Sequence, residues 1–261
     1  MKPQRRSGDG HPAPEVGRLS EVFRDAWPEA LAVWGPALRL HDPEFTQGGG
    51  AAGDPLAWFG LGDATVTVDL AQVSRLGLGD LAVTMLAHEI GHHVYAPASR
   101  AEAARSLARV RLGLGDRAGH AALVVNLWDD TLINDRLHRL HNLPVHEVFR
   151  RSTAADRSEP QPWWSVWMRT YELLWAMPTG TLVPPLRDDR QERDAWLLAR
   201  HTRVFARDPV GGAGGFAALL RPWLPLPQAT PGPAGSANPC SGDQGAGLGA
   251  TLVPGLAGDD S

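Results

Sequence analysis

The chain has 261 residues, 43% of them hydrophobic and 21% charged, with a formal net charge of -4. This fits a soluble globular protein of one generous domain or two small ones, and excludes a coiled coil, a collagen-like chain or full disorder. One cysteine, Cys240, rules out an internal disulfide framework.

The opening MKPQRRSGDGHPAPEVGRL holds no apolar signal core, and no apolar run reaches the roughly 18 residues of a membrane span. The expected location is therefore cytoplasmic, with no membrane partner. Of the 25 basic residues only Lys2 is a lysine, and the arginines are scattered rather than striped. A nucleic-acid partner is not expected.

Residues 1–17 read as a flexible lead-in. A helical pattern from Arg18 to Leu40 is interrupted by Pro28 and Pro36, and Thr46–Asp54 reads as a loop. Residues 64–70 alternate, with Val66, Val68 and Leu70 on one face and Thr65, Thr67 and Asp69 on the other, which predicts a half-buried strand. Asp80 is placed to cap a helix running to about Tyr95, with Pro97 as its stop.

Ser99 is placed to open a second helix that closes near Gly113. A third helix is expected from about Arg117 to His141. Residues 162–177 predict a helix whose Trp163, Trp164, Trp167, Tyr171 and Trp175 read as core, and 188–207 and 214–221 predict two more. His120, His141, His146 and His201 read as surface or loop residues. From Pro227 onward, 8 Gly and 5 Pro in 35 residues predict a disordered tail, Cys240 within it.

The chemistry concentrates in Leu86-Ala87-His88-Glu89-Ile90-Gly91-His92-His93. Positions i and i+4 lie about 40° apart on one helix face, so His88 and His92 can aim at one metal ion. Glu89, about 100° round, can reach a water at that ion without binding the ion itself. The apolar flanks Leu81, Val83, Leu86, Ile90 and Val94 place this helix in a core, where a small residue at Gly91 admits a close neighbour.

Two histidines need a third protein ligand. Asn126, Asp130, Asn134 and His138 are spaced by four, a polar stripe on an otherwise apolar helix. Asp130 is the candidate ligand, with Asn126 and Asn134 one turn either side to hold its orientation. Asp129, Asp135 and Glu102 remain alternatives. His93, Tyr95, His138 and His141 are candidate oxyanion donors, and the sequence does not choose among them.

HEIGHH followed by NLWDDTLIN resembles the bacterial zinc metallopeptidase domains encoded near von Willebrand factor A-type and MoxR-type AAA+ ATPase proteins, over about residues 60–142. That family's pattern is a His-Glu-x-x-His helix followed by Asn-x-x-x-Asp-x-x-x-Asn. The resemblance implies one Zn²⁺ on His88, His92 and Asp130, Glu89 as general base, and Asn126 and Asn134 supporting the ligands.

The expected architecture is α+β and mostly helical. It comprises a zincin-like metal-binding domain with a small sheet over 18–150, a helical extension packed on it over 151–226, and the tail at 227–261. The strand at 64–70 is expected to serve as an edge on which an extended peptide substrate pairs. The expected function is zinc-dependent peptide hydrolysis. Two others share the same residues: a non-proteolytic metal-binding protein acting with an AAA+ ATPase and a von Willebrand A-type partner, and a hydrolase of non-peptide amides.

Overall fold

The computed structural model describes residues 13–47, 56–60, 64–155 and 160–226. The expected tail at 227–261, Cys240 with it, lies outside the described residues, as do residues 1–12 and most of the loop expected at 46–54. The fold is mostly helical with one small sheet, and no helix among the described residues is long and apolar enough to cross a membrane.

Helix α1 spans Ala13–Trp34, so residues 13–17 of the expected lead-in are helical, and Pro28 lies inside the helix without ending it. A proline there forfeits one backbone hydrogen bond at a cost of about 3 kcal/mol. Leu19, Phe23, Trp27 and Ala30, spaced by four, four and three, bury one continuous face that offsets this cost. The helix stops at Trp34, just ahead of Gly35 and Pro36.

Three short strands follow: β1 (Glu44–Thr46), β2 (Ala57–Gly60) and β3 (Thr65–Asp69). β3 is the central strand, parallel to β1 and antiparallel to β2, with Val68 opposite both Phe45 and Ala57. This corrects the expectation that residues 64–70 form an edge. β1 and β2 are too short to carry an alternating pattern, which hid them in the sequence. Nor is β3 half exposed, since Thr67 and Asp69 are buried. Asp69 instead caps α2 (Leu70–Leu76), its Oδ1 accepting from the Ala71 and Gln72 amides at 2.9 and 3.3 Å.

Asp80 does not cap the metal-motif helix. It lies in a short 3₁₀ turn and pairs with Arg151 at 2.9 Å, while α3 (Ala82–Val94) starts without a side-chain cap. Helix α4 (Arg100–Leu114) is opened by the Ser99 hydroxyl and closes next to Gly113, as expected. A Cβ on Gly113 would meet the Gly214 carbonyl at 2.3 Å, because α4 lies directly against a later helix there. Helix α5 (Ala121–His141) carries the polar stripe and ends at Asn142 in the left-handed conformation. Helices α6 (Val145–Ala155), α7 (Pro162–Leu174), α8 (Asp189–Phe205) and α9 (Pro209–Leu220) follow among the described residues.

The C-terminal helices share one hydrophobic core with the rest. Trp128 on α5 donates to the Pro209 carbonyl, and Trp167 on α7 donates to the Thr131 hydroxyl, both at 2.8 Å. Trp163, Trp167, Tyr171 and Trp175 are buried, in keeping with the core reading of this aromatic run, and Trp164 is half-buried. His201, expected at the surface, is half-buried between Trp128 and Phe205 and hydrogen-bonds the Gly212 carbonyl at 2.8 Å.

Glu172 on α7 is fully buried and folds the segment after the helix around itself. It accepts from the Leu182 amide at 2.7 Å, from the Gly180 amide at 3.3 Å and from Arg169 at 3.0 Å. Removing the carboxylate leaves the buried Leu182 and Val183 amides without that acceptor and takes from Arg169 one of its two carboxylate partners. Glu172→Ala should therefore lower the free energy of unfolding by about 3–5 kcal/mol in denaturant titration, and a loss below about 1 kcal/mol would contradict this role.

Candidate metal centre

Helices α3 and α5 lie side by side and antiparallel, with His88 meeting Asn134 and His92 meeting Asp130. Gly91 sets their separation. A Cβ at this position would stand 2.7 Å from Ile133 Cγ2 on α5 and 2.9 Å from Trp34 Cζ2 on α1. From the α1 side, the Trp34 indole donates to the Ala87 carbonyl at 2.7 Å, anchoring α3 next to its first histidine.

Within this contact, His88, His92 and Asp130 present one ligand atom each, all within 4.8 Å of one another and all buried. The Asp130 Oδ1 stands 3.3 Å from His88 Nε2 and 3.4 Å from His92 Nε2. These separations exceed the roughly 2.7–2.9 Å of a direct charge-assisted hydrogen bond. They match the edge of a tetrahedron: a cation about 2.0–2.1 Å from each of two ligands holds them about 3.3–3.4 Å apart.

The outer hydrogen bonds decide which atoms face inward. His92 Nδ1 lies 3.0 Å from the Ala96 carbonyl, which can only accept, so that nitrogen carries the proton and Nε2 presents its lone pair. His88 Nδ1 lies 2.8 Å from Asn134 Oδ1, with the same consequence. Asn126 Nδ2 donates to Asp130 Oδ2 at 3.2 Å and turns the other carboxylate oxygen toward the two imidazoles. Three acceptor atoms thus converge, and these residues fit a divalent cation held by two imidazoles and one carboxylate.

The electrostatics point the same way. Burial opposes a charge on His88, yet the adjacent Asp130 outweighs it and raises the imidazole above its ordinary value. Burial also opposes the charge on Asp130, but the two imidazoles hold its carboxyl below the usual carboxylate range. Each group favours positive charge at the centre of the cluster.

Asp130 is the acid that joins the two histidines. Asp129 is buried but outside the cluster, and Asp135 lies 3.4 Å from both Arg139 and Arg203. Glu102, in the first turn of α4, lies 4.0 Å from Arg105. Asn126 orients Asp130 as expected. Asn134 does not: it holds His88 instead, and its Nδ2 donates to the Tyr171 hydroxyl at 3.0 Å. Nothing in the sequence marks Tyr171, which lies 37 residues from Asn134, or the Ala96 carbonyl, since no side-chain motif signals a backbone acceptor.

Glu89 is buried beside His88 in the wall of a cleft. Leu56, Ala57, Thr84, Met85, Asn134, Val145 and Val148 form the rest of the wall, so the cleft is apolar apart from the groups at the metal centre and Thr84. Of the candidate oxyanion donors, Tyr95 is engaged by the Ala206 carbonyl, His93 packs on Phe59 of β2, and His138 stacks on Trp175.

The ligand assignment has a direct check by competitive chelator titration. Asp130→Ala should weaken zinc binding at least a hundredfold, while Asp129→Ala, compared at equal folded fraction, should leave it within a few-fold of the parent protein. The opposite ranking would overturn the assignment. No protein-family model matches the chain, and no curated protein or solved structure is significantly similar to it.

Proposed function

We propose that the chain is a zinc-dependent peptidase, with His88, His92 and Asp130 as the metal ligands and Glu89 as the general base. The observation that carries this reading is the convergence of His88, His92 and Asp130, with Asp130 Oδ1 3.3 and 3.4 Å from the two imidazole Nε2 atoms, and with Glu89 one residue from His88 and lining the same cleft as that ligand. The resemblance of HEIGHH and NLWDDTLIN to bacterial zinc metallopeptidase domains supports it, and extends it to an AAA+ ATPase and a von Willebrand A-type protein as working partners.

A zinc ion held by three protein ligands supplies Lewis acidity, lowering the pKa of a water toward 7 and polarising a carbonyl. Glu89 takes the proton released as water attacks the peptide carbonyl, holds it on its carboxylate, and delivers it to the departing amide nitrogen. Asn134 and Ala96 hold a ring proton of His88 and His92 at Nδ1, which leaves the Nε2 lone pairs to the cation. The buried wall around the carboxylate limits competition from bulk water for that proton.

β2 supports a peptide substrate. It is an outer strand of the sheet, it packs beside α3, and Ala57 lines the cleft. An extended peptide pairing along it would place alternate side chains toward the cleft. Leu56, Met85, Val145 and Val148 there suit an aliphatic side chain next to the scissile bond and disfavour a charged one.

A peptide library read by mass spectrometry tests the reading. Zinc-loaded protein should cleave beside aliphatic residues, and Glu89→Gln should keep its zinc while losing activity by about 10²-fold or more. If protein with one zinc per chain cleaves nothing, the peptidase reading fails and a non-proteolytic metal-binding role takes its place.

A further inference from the structure

The Trp-rich helix α7 is more than core filling. Tyr171 on α7 is fully buried, caged by Phe149, Trp167 and Trp175 with ring centroids 5.0, 5.2 and 4.6 Å away, and its hydroxyl accepts from Asn134 Nδ2 at 3.0 Å. The same amide presents Oδ1 to His88 Nδ1 at 2.8 Å. A phenol on one helix, an amide on a second and an imidazole on a third therefore form one hydrogen-bonded chain ending at the metal centre.

The orientation of the amide matters because its two ends are chemically different. With Oδ1 toward the ring, His88 is protonated at Nδ1 and offers the Nε2 lone pair inward. With the amide reversed, Nδ2 would donate to His88 Nδ1, push the ring proton to Nε2, and leave no lone pair for a cation. Asn134 is fully buried, so its NH₂ needs an acceptor. The Tyr171 oxygen is that acceptor. Without it, the His88 ring nitrogen becomes the acceptor within reach, which is the orientation that abolishes the ligand.

We infer that Tyr171 is a positioning residue that fixes the Asn134 amide and, through it, the metal-binding tautomer of His88. This rests on the metal-centre reading above and goes beyond the motif, since it makes a residue of the C-terminal helical region part of the site.

The test compares zinc affinity, by chelator competition, in the full-length protein and the variants Tyr171→Phe, Asn134→Asp and the two combined. Tyr171→Phe should weaken zinc binding about tenfold or more. A carboxylate has two equivalent accepting ends, so it cannot face the ring the wrong way. In the Asn134→Asp background the Tyr171→Phe change should therefore cost less than about twofold in affinity, a rescue that a merely structural tyrosine would not give.

Cobalt in place of zinc gives a second readout. The visible spectrum of Tyr171→Phe should lose intensity relative to the parent, and that of the double variant should recover it. Should Tyr171→Phe fail to fold, Tyr171→Met, which also removes the hydroxyl, takes its place. Unchanged zinc affinity in Tyr171→Phe, or an equal loss in the Asn134→Asp background, overturns the inference and leaves the metal centre standing. If the parent protein binds no zinc, the metal-centre reading itself is overturned.

Discussion

Lone pairs aimed at one another inside a protein repel, and each such acceptor destabilises the fold by about 1–3 kcal/mol unless something positive comes between them. His88 Nε2, His92 Nε2 and Asp130 Oδ1 are arranged in this way between α3 and α5. The rest of the structure around the cleft serves to maintain that arrangement. Nδ1 of each imidazole is engaged from outside, one by a side-chain amide and one by a backbone carbonyl, and Asn126 turns the carboxylate. The layout concentrates demand for positive charge at one buried point.

Holding it requires contact from several sides. Gly91 lets Ile133 and Trp34 approach α3 closely, and the Trp34 indole grips the Ala87 carbonyl. From the other side of α5, Tyr171 and Trp167 on α7 reach Asn134 and Thr131. The helix bearing Asp130 is thus packed between α3 and α4, which precede it in the chain, and α6, α7 and α9, which follow it. This is why α5 is buried on nearly all sides over residues 124–135, an uncommon state for a helix bearing an Asn, an Asp and another Asn at i, i+4 and i+8. Asn126 persists there by donating to Asp130, and Asn134 by bridging His88 and Tyr171.

What the sequence revealed and what it hid follow from the range of each interaction. His88, Glu89 and His92 are legible because a helix converts a spacing of four into a shared face, and Asp130 because the same rule marks the stripe on α5. The Ser99 cap is legible for a similarly local reason. Contacts that depend on tertiary placement left no such mark. β1 and β2 are too short for a periodic pattern, so β3 looked like an edge when it is the centre of the sheet. Pro28 looked like a break because the packing of Phe23 and Trp27 is invisible along the chain. Asp80 looked like a cap because Arg151, its partner, lies 71 residues away. Tyr171 was indistinguishable from its tryptophan neighbours, since all of them have the spacing of core residues.

The central claim is that two imidazoles and one carboxylate bind a single cation at tetrahedral spacing. X-ray absorption at the zinc edge, on protein loaded with one equivalent of zinc, addresses it most directly. The account predicts a four-coordinate shell of nitrogen and oxygen at about 2.0–2.1 Å, with the outer-shell scattering of two imidazoles. A sulfur ligand near 2.3 Å, or a shell without imidazole scattering, would contradict it.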